Sequence, residues 1–127
     1  MADLVASTVQ QLGERFKFVN YTNLSDGTGE AAVIKQARAS LTGIGSGTIK
    51  IHRVWAQTAG MAVQILFDHT TDQPVLVIPA DNYVELDFRD FGGLRDPAGA
   101  GGLGDLLFTT VGHTNGDFYS VVLELRW

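Results

Sequence analysis

The chain has 127 residues, no cysteine, and a formal charge of −5 from nine Lys+Arg against fourteen Asp+Glu. That length suits one domain burying roughly 65–70% of its unfolded surface. The missing cysteines exclude a disulfide framework, a thiolate metal site and a thiol nucleophile, and fit synthesis in a reducing compartment.

The cations (Arg15, Lys17, Lys35, Arg38, Lys50, Arg53, Arg89, Arg95, Arg126) are scattered, whereas phosphate binding needs them clustered, so nucleic acid is not an expected partner. No apolar run approaches the roughly 20 residues of a membrane span. Met1-Ala2-Asp3 offers no basic start to a secretory leader. Glycine, at fifteen residues, is enriched, and ten Asp stand against four Glu; both favour turns over helices.

Residues 1–13 form an arm with two readings. Val5, Val9 and Leu12 make a short helical stripe, yet the segment also permits an extended strand. Arg15–Tyr21 alternates as a strand with Phe16 and Phe18 on one face. Ser25-Asp26-Gly27-Thr28-Gly29 is a strong turn signal and Ala31–Arg38 a second strand, so the pair predicts a hairpin. After the glycine-rich 42–47, Thr48–Gln57 carries Ile49, Ile51 and Trp55 in phase. A Thr58-Ala59-Gly60 turn leads to Met61–Asp68, with Met61, Val63, Ile65 and Phe67 in phase.

Pro74–Ile78, framed by Pro74 and Pro79, suits an edge or sheet-switching strand. Tyr83–Phe88 is a further strand, and Gly92–Gly104 a long glycine tract. Asp105–Val111 and Phe118–Arg126 complete the pattern, with Tyr119, Val121, Leu123, Leu125 and Trp127 on one face of the last strand. Asn115-Gly116 between them predicts a terminal hairpin. About eight short strands and no helix beyond the arm predict an all-β, single-domain, jelly-roll-like β-sandwich over residues 14–127 with an N-terminal arm.

The candidate chemistry is thin. Gly99-Ala100-Gly101-Gly102-Leu103-Gly104 matches a dinucleotide fingerprint in letters, but a β-patterned segment follows where a helix must, so loop is the better reading. His52, His69 and His113 lie far apart and outside any metal-binding spacing, which favours structural roles. Asp68-His69-Thr70-Thr71-Asp72 has the composition of a cation loop and, more simply, of an Asx-type turn. Glu85 and Asp87 share a strand face and read as solvated. Trp55, Tyr83, Tyr119 and Trp127 allow a sugar-stacking platform, although Tyr119 and Trp127 fall on the apolar face. Nothing places a nucleophile, a base and oxyanion donors together, so an enzyme is not expected, nor a cofactor or metal.

The Phe91–Leu103 tract sets Phe91, Leu94 and Leu103 on a glycine-rich backbone. Such backbone permits close approach by another chain, and long ordered loops are usually functional.

Several segments carry a resemblance: Gly60-Met61-Ala62-Val63-Gln64-Ile65-Leu66-Phe67-Asp68, Leu86-Asp87-Phe88-Arg89-Asp90-Phe91-Gly92-Gly93-Leu94, Gly104-Asp105 with Thr109-Thr110-Val111-Gly112, and the ending Leu123-Glu124-Leu125-Arg126-Trp127. Over residues 48–127 the chain resembles small, cysteine-free virion proteins of tailed bacteriophages, of the kind found in cyanophages. The resemblance implies a capsid decoration (cement) protein, made in the host cytoplasm and bound to the outside of the head. It further implies a homotrimer bridging major capsid proteins. On that view the contacts come from the arm (Leu4, Val5, Val9) and the loop (Phe91, Leu94, Arg95, Leu103). The alternatives are a tail or baseplate component and a carbohydrate-binding β-sandwich module.

Overall fold

In the computed structural model, residues 4–44, 48–69, 71–96 and 104–127 are described. Ten strands run through them: β1 (Leu4–Leu12), β2 (Phe16–Leu24), β3 (Val33–Gln36), β4 (Lys50–Ala59), β5 (Ala62–Phe67), β6 (Gln73–Ile78), β7 (Tyr83–Asp87), β8 (Leu94–Arg95), β9 (Leu106–Val111) and β10 (Phe118–Arg126). They form two antiparallel sheets packed as a β-sandwich. One sheet has the order β1-β2-β10-β4-β7, with β8 also on β4; the other has the order β3-β9-β5-β6. The eight expected strands are all present. The two additions are β1, which is the arm in its extended form, and the two-residue β8.

The core lies between the sheets and follows the alternation. From the first sheet come Val19, Tyr21, Ile51, Val54, Tyr119, Val121, Leu123 and Leu125; from the second come Val63, Ile65, Phe67, Leu106 and Phe108. Phe108 meets the rings of Tyr21 at 5.3 Å and Tyr119 at 5.8 Å, both edge-on, the geometry aromatic quadrupoles prefer. Among the described residues β6 pairs only with β5, so the proline-framed segment is an edge strand, where a missing N–H is harmless.

Three expectations need correction. β9 and β10 are not a hairpin. β9 lies between β3 and β5, and β10 between β2 and β4 in the opposite sheet. The Asn-Gly turn does form, with Asp117 N–H donating to Thr114 O at 3.1 Å and Gly116 at φ 92°. However, the turn sits inside a longer connection, residues 112–117, that carries the chain across the sandwich. Nor do β2 and β3 pair. Glu30 and Thr110 exchange hydrogen bonds, Glu30 N–H to Thr110 Oγ1 at 2.8 Å and Thr110 N–H to Glu30 O at 3.0 Å, which ties the segment before β3 to β9.

The third correction concerns Trp55. Ile51 pairs with Leu125 and Arg53 with Glu124, leaving His52 as the extra residue of a β-bulge. A bulge reverses the facing of every later residue in its strand. Val54 and Ala56 therefore point inward, and Trp55 points away from Ile49 and Ile51.

Gly60 stands where the chain leaves one sheet for the other. It has φ +81°, and a Cβ there would lie 2.1 Å from Asp117 Oδ1, so only glycine fits this corner.

Candidate functional site

Two surfaces collect unusual residues. The first is the open side of the sandwich where β1 and β3 are the outer strands of their sheets, opposite the side bounded by β7 and β6. Between them runs a groove of about 220 Å³ lined by Val5, Ala6, Ser7, Tyr21, Val33, Ile34 and Lys35. Val5, Val9, Leu12, Val33 and Ile34 are all exposed, an unusual concentration of large apolar side chains along one side. Pairing of β1 with β2 sets Val5 opposite Asn23, Ser7 opposite Tyr21 and Val9 opposite Val19. Because Tyr21 and Val19 face the core, Val5, Ser7 and Val9 face the mouth between the sheets.

The polar groups along this side are held by the chain itself. Lys17 Nζ donates to Gln36 Oε1 at 2.6 Å, and burial lowers the Lys17 pKa. Lys35 Nζ bonds Glu30, a buried carboxylate that also accepts from Asn23 Nδ2 at 3.0 Å and from the Tyr119 hydroxyl. The Tyr21 hydroxyl differs: it is buried and has no hydrogen-bond partner among the described residues. Burial raises its pKa far above the usual phenol value.

The second surface is the outer face of the larger sheet. Phe16, Phe18, Trp55, Arg53, Glu124 and Arg126 meet there. The Arg53 guanidinium lies 5.0 Å from the Trp55 ring and 5.7 Å from Phe18, and that of Arg126 lies 5.3 Å from Phe16. Between the two arginines Glu124 is 0% exposed. One of its oxygens accepts from Arg53 Nε and the other from Arg126 Nε at 2.8 Å. Burial alone raises the Glu124 pKa, but the hydrogen bonds from Arg53 and Arg126 outweigh it and the net shift is downward. Beside this cluster a cleft of about 340 Å³ is lined by Arg53, Trp55, Glu85, Leu86, Asp87 and Arg89. Arg89 grips Asp87 with two parallel bonds, Nε to Oδ1 at 2.9 Å and Nη2 to Oδ2 at 2.6 Å, lowering the Asp87 pKa to about 2.

The expected contact residues fall into separate places. Val5 and Val9 lie on the open side, and Leu4 opens β1. Phe91 is exposed, edge-on to Phe88 at 5.9 Å. Arg95 is exposed, whereas Leu94 is half-buried and packs on the core. Leu103 lies outside the described residues. The ends of the loop are pinned: Asp96 Oδ2 meets His69 Nε2 at 2.6 Å and accepts from Gly104 N–H at 3.0 Å.

The three histidines stay apart. His52 forms the bulge, His69 pairs Asp96, and His113 Nδ1 meets Thr110 Oγ1 at 3.1 Å. Asp72 Oδ1 accepts the His69 N–H at 3.2 Å, a local side-chain-to-backbone bond. Among the described residues no three His, Asp or Glu converge in a way that would hold a metal ion. Of the four aromatics weighed as a platform, Tyr119 and Trp127 are buried, Tyr83 is exposed and Trp55 half-buried.

Arg53, Glu124, Val33, Ile34 and Tyr21 were not singled out from sequence. A Glu inside a strongly alternating strand, opposite an Arg, is a signal only once the pairing of β10 with β4 is known.

No family model and no curated protein matches this chain. Among solved structures, two variants of a family 29 carbohydrate-binding module, CBM29-2, are similar to it at 13% and 15% identity. Each comparison has a TM-score of 0.36 and covers 98% of this chain and 79% of the other.

Proposed function

We propose that this chain is a non-enzymatic structural subunit that attaches to a larger protein assembly. In line with its resemblance to tailed-phage virion proteins, the assembly is a phage head and the chain a decoration (cement) subunit on its outer surface. The observation that carries this reading is the side of the sandwich bounded by β1 and β3, two strand edges unpaired among the described residues and flanked by exposed Val5, Val9, Leu12, Val33 and Ile34. Soluble domains usually blunt such edges or cover them. Many identical weak contacts across a lattice then sum through multivalency, and an acidic subunit stays dispersed until it meets the lattice.

The test is occupancy. Ile34→Asp, an exposed position on β3, should cut retention on purified heads at least tenfold with the melting temperature unchanged within a few degrees. Retention equal to wild type rejects the reading. Copies clustered at one vertex, rather than spread over the shell, point to a tail or baseplate component instead.

A carbohydrate-binding role has one observation in its favour: exposed Tyr83 and half-buried Trp55 share the outer face of the larger sheet near the Asp87–Arg89 cleft. Against it, the Arg53 guanidinium already lies over the Trp55 ring. Glycan-array binding that disappears in Tyr83→Ala would favour the module.

A further inference from the structure

We infer that the β1 edge is the seat of a twofold pair between two copies of this chain, with β1 of each copy antiparallel to β1 of the other and the axis at Ser7. This rests on reading the open side as an assembly surface and names its first occupant.

The strand is built as an unguarded edge. Leu4-Val5-Ala6-Ser7-Thr8-Val9-Gln10-Gln11-Leu12 contains no charged residue and no proline, although the chain carries −5 overall. Of the usual protections of an exposed edge, β1 has no lysine, proline or inward charge; its one bulge, at Gln10, lies beyond the Val5–Val9 run. The regular run Leu4–Val9, at about 3.4 Å per residue, makes an edge roughly 20 Å long.

The strand is also self-complementary. Reversed about Ser7, Val5 meets Val9, Ala6 meets Thr8 and Ser7 meets Ser7. Val5, Ser7 and Val9 all face the mouth of the sandwich, so the pair sets apolar against apolar on both flanks of a central polar contact. Twofold interfaces demand this kind of self-matching. The register shift between Val9 and Gln11 marks where the regular run ends.

Charge permits the approach as well. Leu4–Leu12 carries no ionisable side chain and Lys35, which lines the groove, is paired with Glu30, so the two strands bring no like charges together at the axis.

The experiment is a charge swap at the axis. The intact wild-type protein should sediment at high micromolar concentration as a species of twice 13.7 kDa. Ser7→Lys and Ser7→Asp each place like charges face to face, and each should weaken the pair at least tenfold with the melting temperature preserved. Mixed in equal amounts, the two variants should regain the wild-type dimer. A monomeric or trimeric wild type overturns the inference. So does a dimer indifferent to either substitution, or a mixture that fails to re-associate. Monomeric protein that still decorates heads rejects only the twofold pair; a Ser7-dependent dimer absent from heads rejects only the decoration role.

Discussion

Replacing Arg53 by alanine should destabilise the domain more than replacing Glu124, the residue it holds, by glutamine. Glu124 is wholly inaccessible, whereas the side chains of Arg53 and Arg126 are 28% and 45% exposed. Arg53→Ala leaves the carboxylate buried with Arg126 as its remaining charged donor. A lost charge-assisted hydrogen bond at such a group costs about 2 kcal/mol. The two ring contacts to Trp55 and Phe18 add about 0.5 kcal/mol each, for a total of about 3 kcal/mol. At roughly 3–5 °C per kcal/mol for a domain of this size, the melting temperature should fall by about 9–15 °C. Glu124→Gln keeps the volume and one acceptor, frees two guanidinium groups that already reach water, and turns its amide NH2 toward one of them, so its cost should be about 2 kcal/mol. In the double variant the charge that Arg53→Ala strands is gone, and the combined loss should fall short of the sum by at least 1 kcal/mol. Urea unfolding followed by tryptophan fluorescence measures all three. An Arg53→Ala loss under 0.5 kcal/mol, or strictly additive losses, would refute this account of the cluster.

Two other outcomes follow from the same geometry. The pKa of Glu124 is lowered on folding from its ordinary 4.5, so the carboxylate contributes stability above that value and loses it as pH falls through the lower, folded pKa. The stability gap between wild type and Glu124→Gln should therefore be widest above about pH 5 and close as the pH drops below 4.5; a gap constant down to pH 3 would contradict the shift. Leu94→Asp should lower stability by about 2 kcal/mol, because Leu94 pairs with Ile51 and packs on the core. An unchanged melting temperature would return Leu94 to the list of free contact residues.

Much of the scaffold is legible in the chain because alternation survives folding wherever a strand is regular. Met61, Val63, Ile65 and Phe67 are all buried, as are the five alternating residues from Tyr119 to Trp127. What is lost is partnership. The Asn115-Gly116 turn is correctly read as a turn, yet its flanking strands join opposite sheets, because no local signal says whether a connection returns or crosses. One residue, His52, reverses the phase of β4 and moves Trp55 from the expected inner face to the outer one. β8 is two residues between Gly92-Gly93 and Asp96-Pro97 and leaves no periodic trace.

The surfaces were less legible still. Val5 and Val9 carry both a helical and an extended reading, and their neighbours Val33 and Ile34 come from a strand of the other sheet. Glu124 looks like an ordinary outward-facing acid until Arg53 and Arg126 are seen to close over it.

The position of β10 has a consequence for how this protein is made. It is the middle strand of the larger sheet and the last of the ten to leave the ribosome, so β2 and β4 emerge with an empty lane between them. Since most connections also cross between sheets, no portion released early can settle into a lasting shape. Nascent chains stalled before residue 118 should therefore remain open to proteases, and maturation should begin as a single late event once synthesis has passed the final strand.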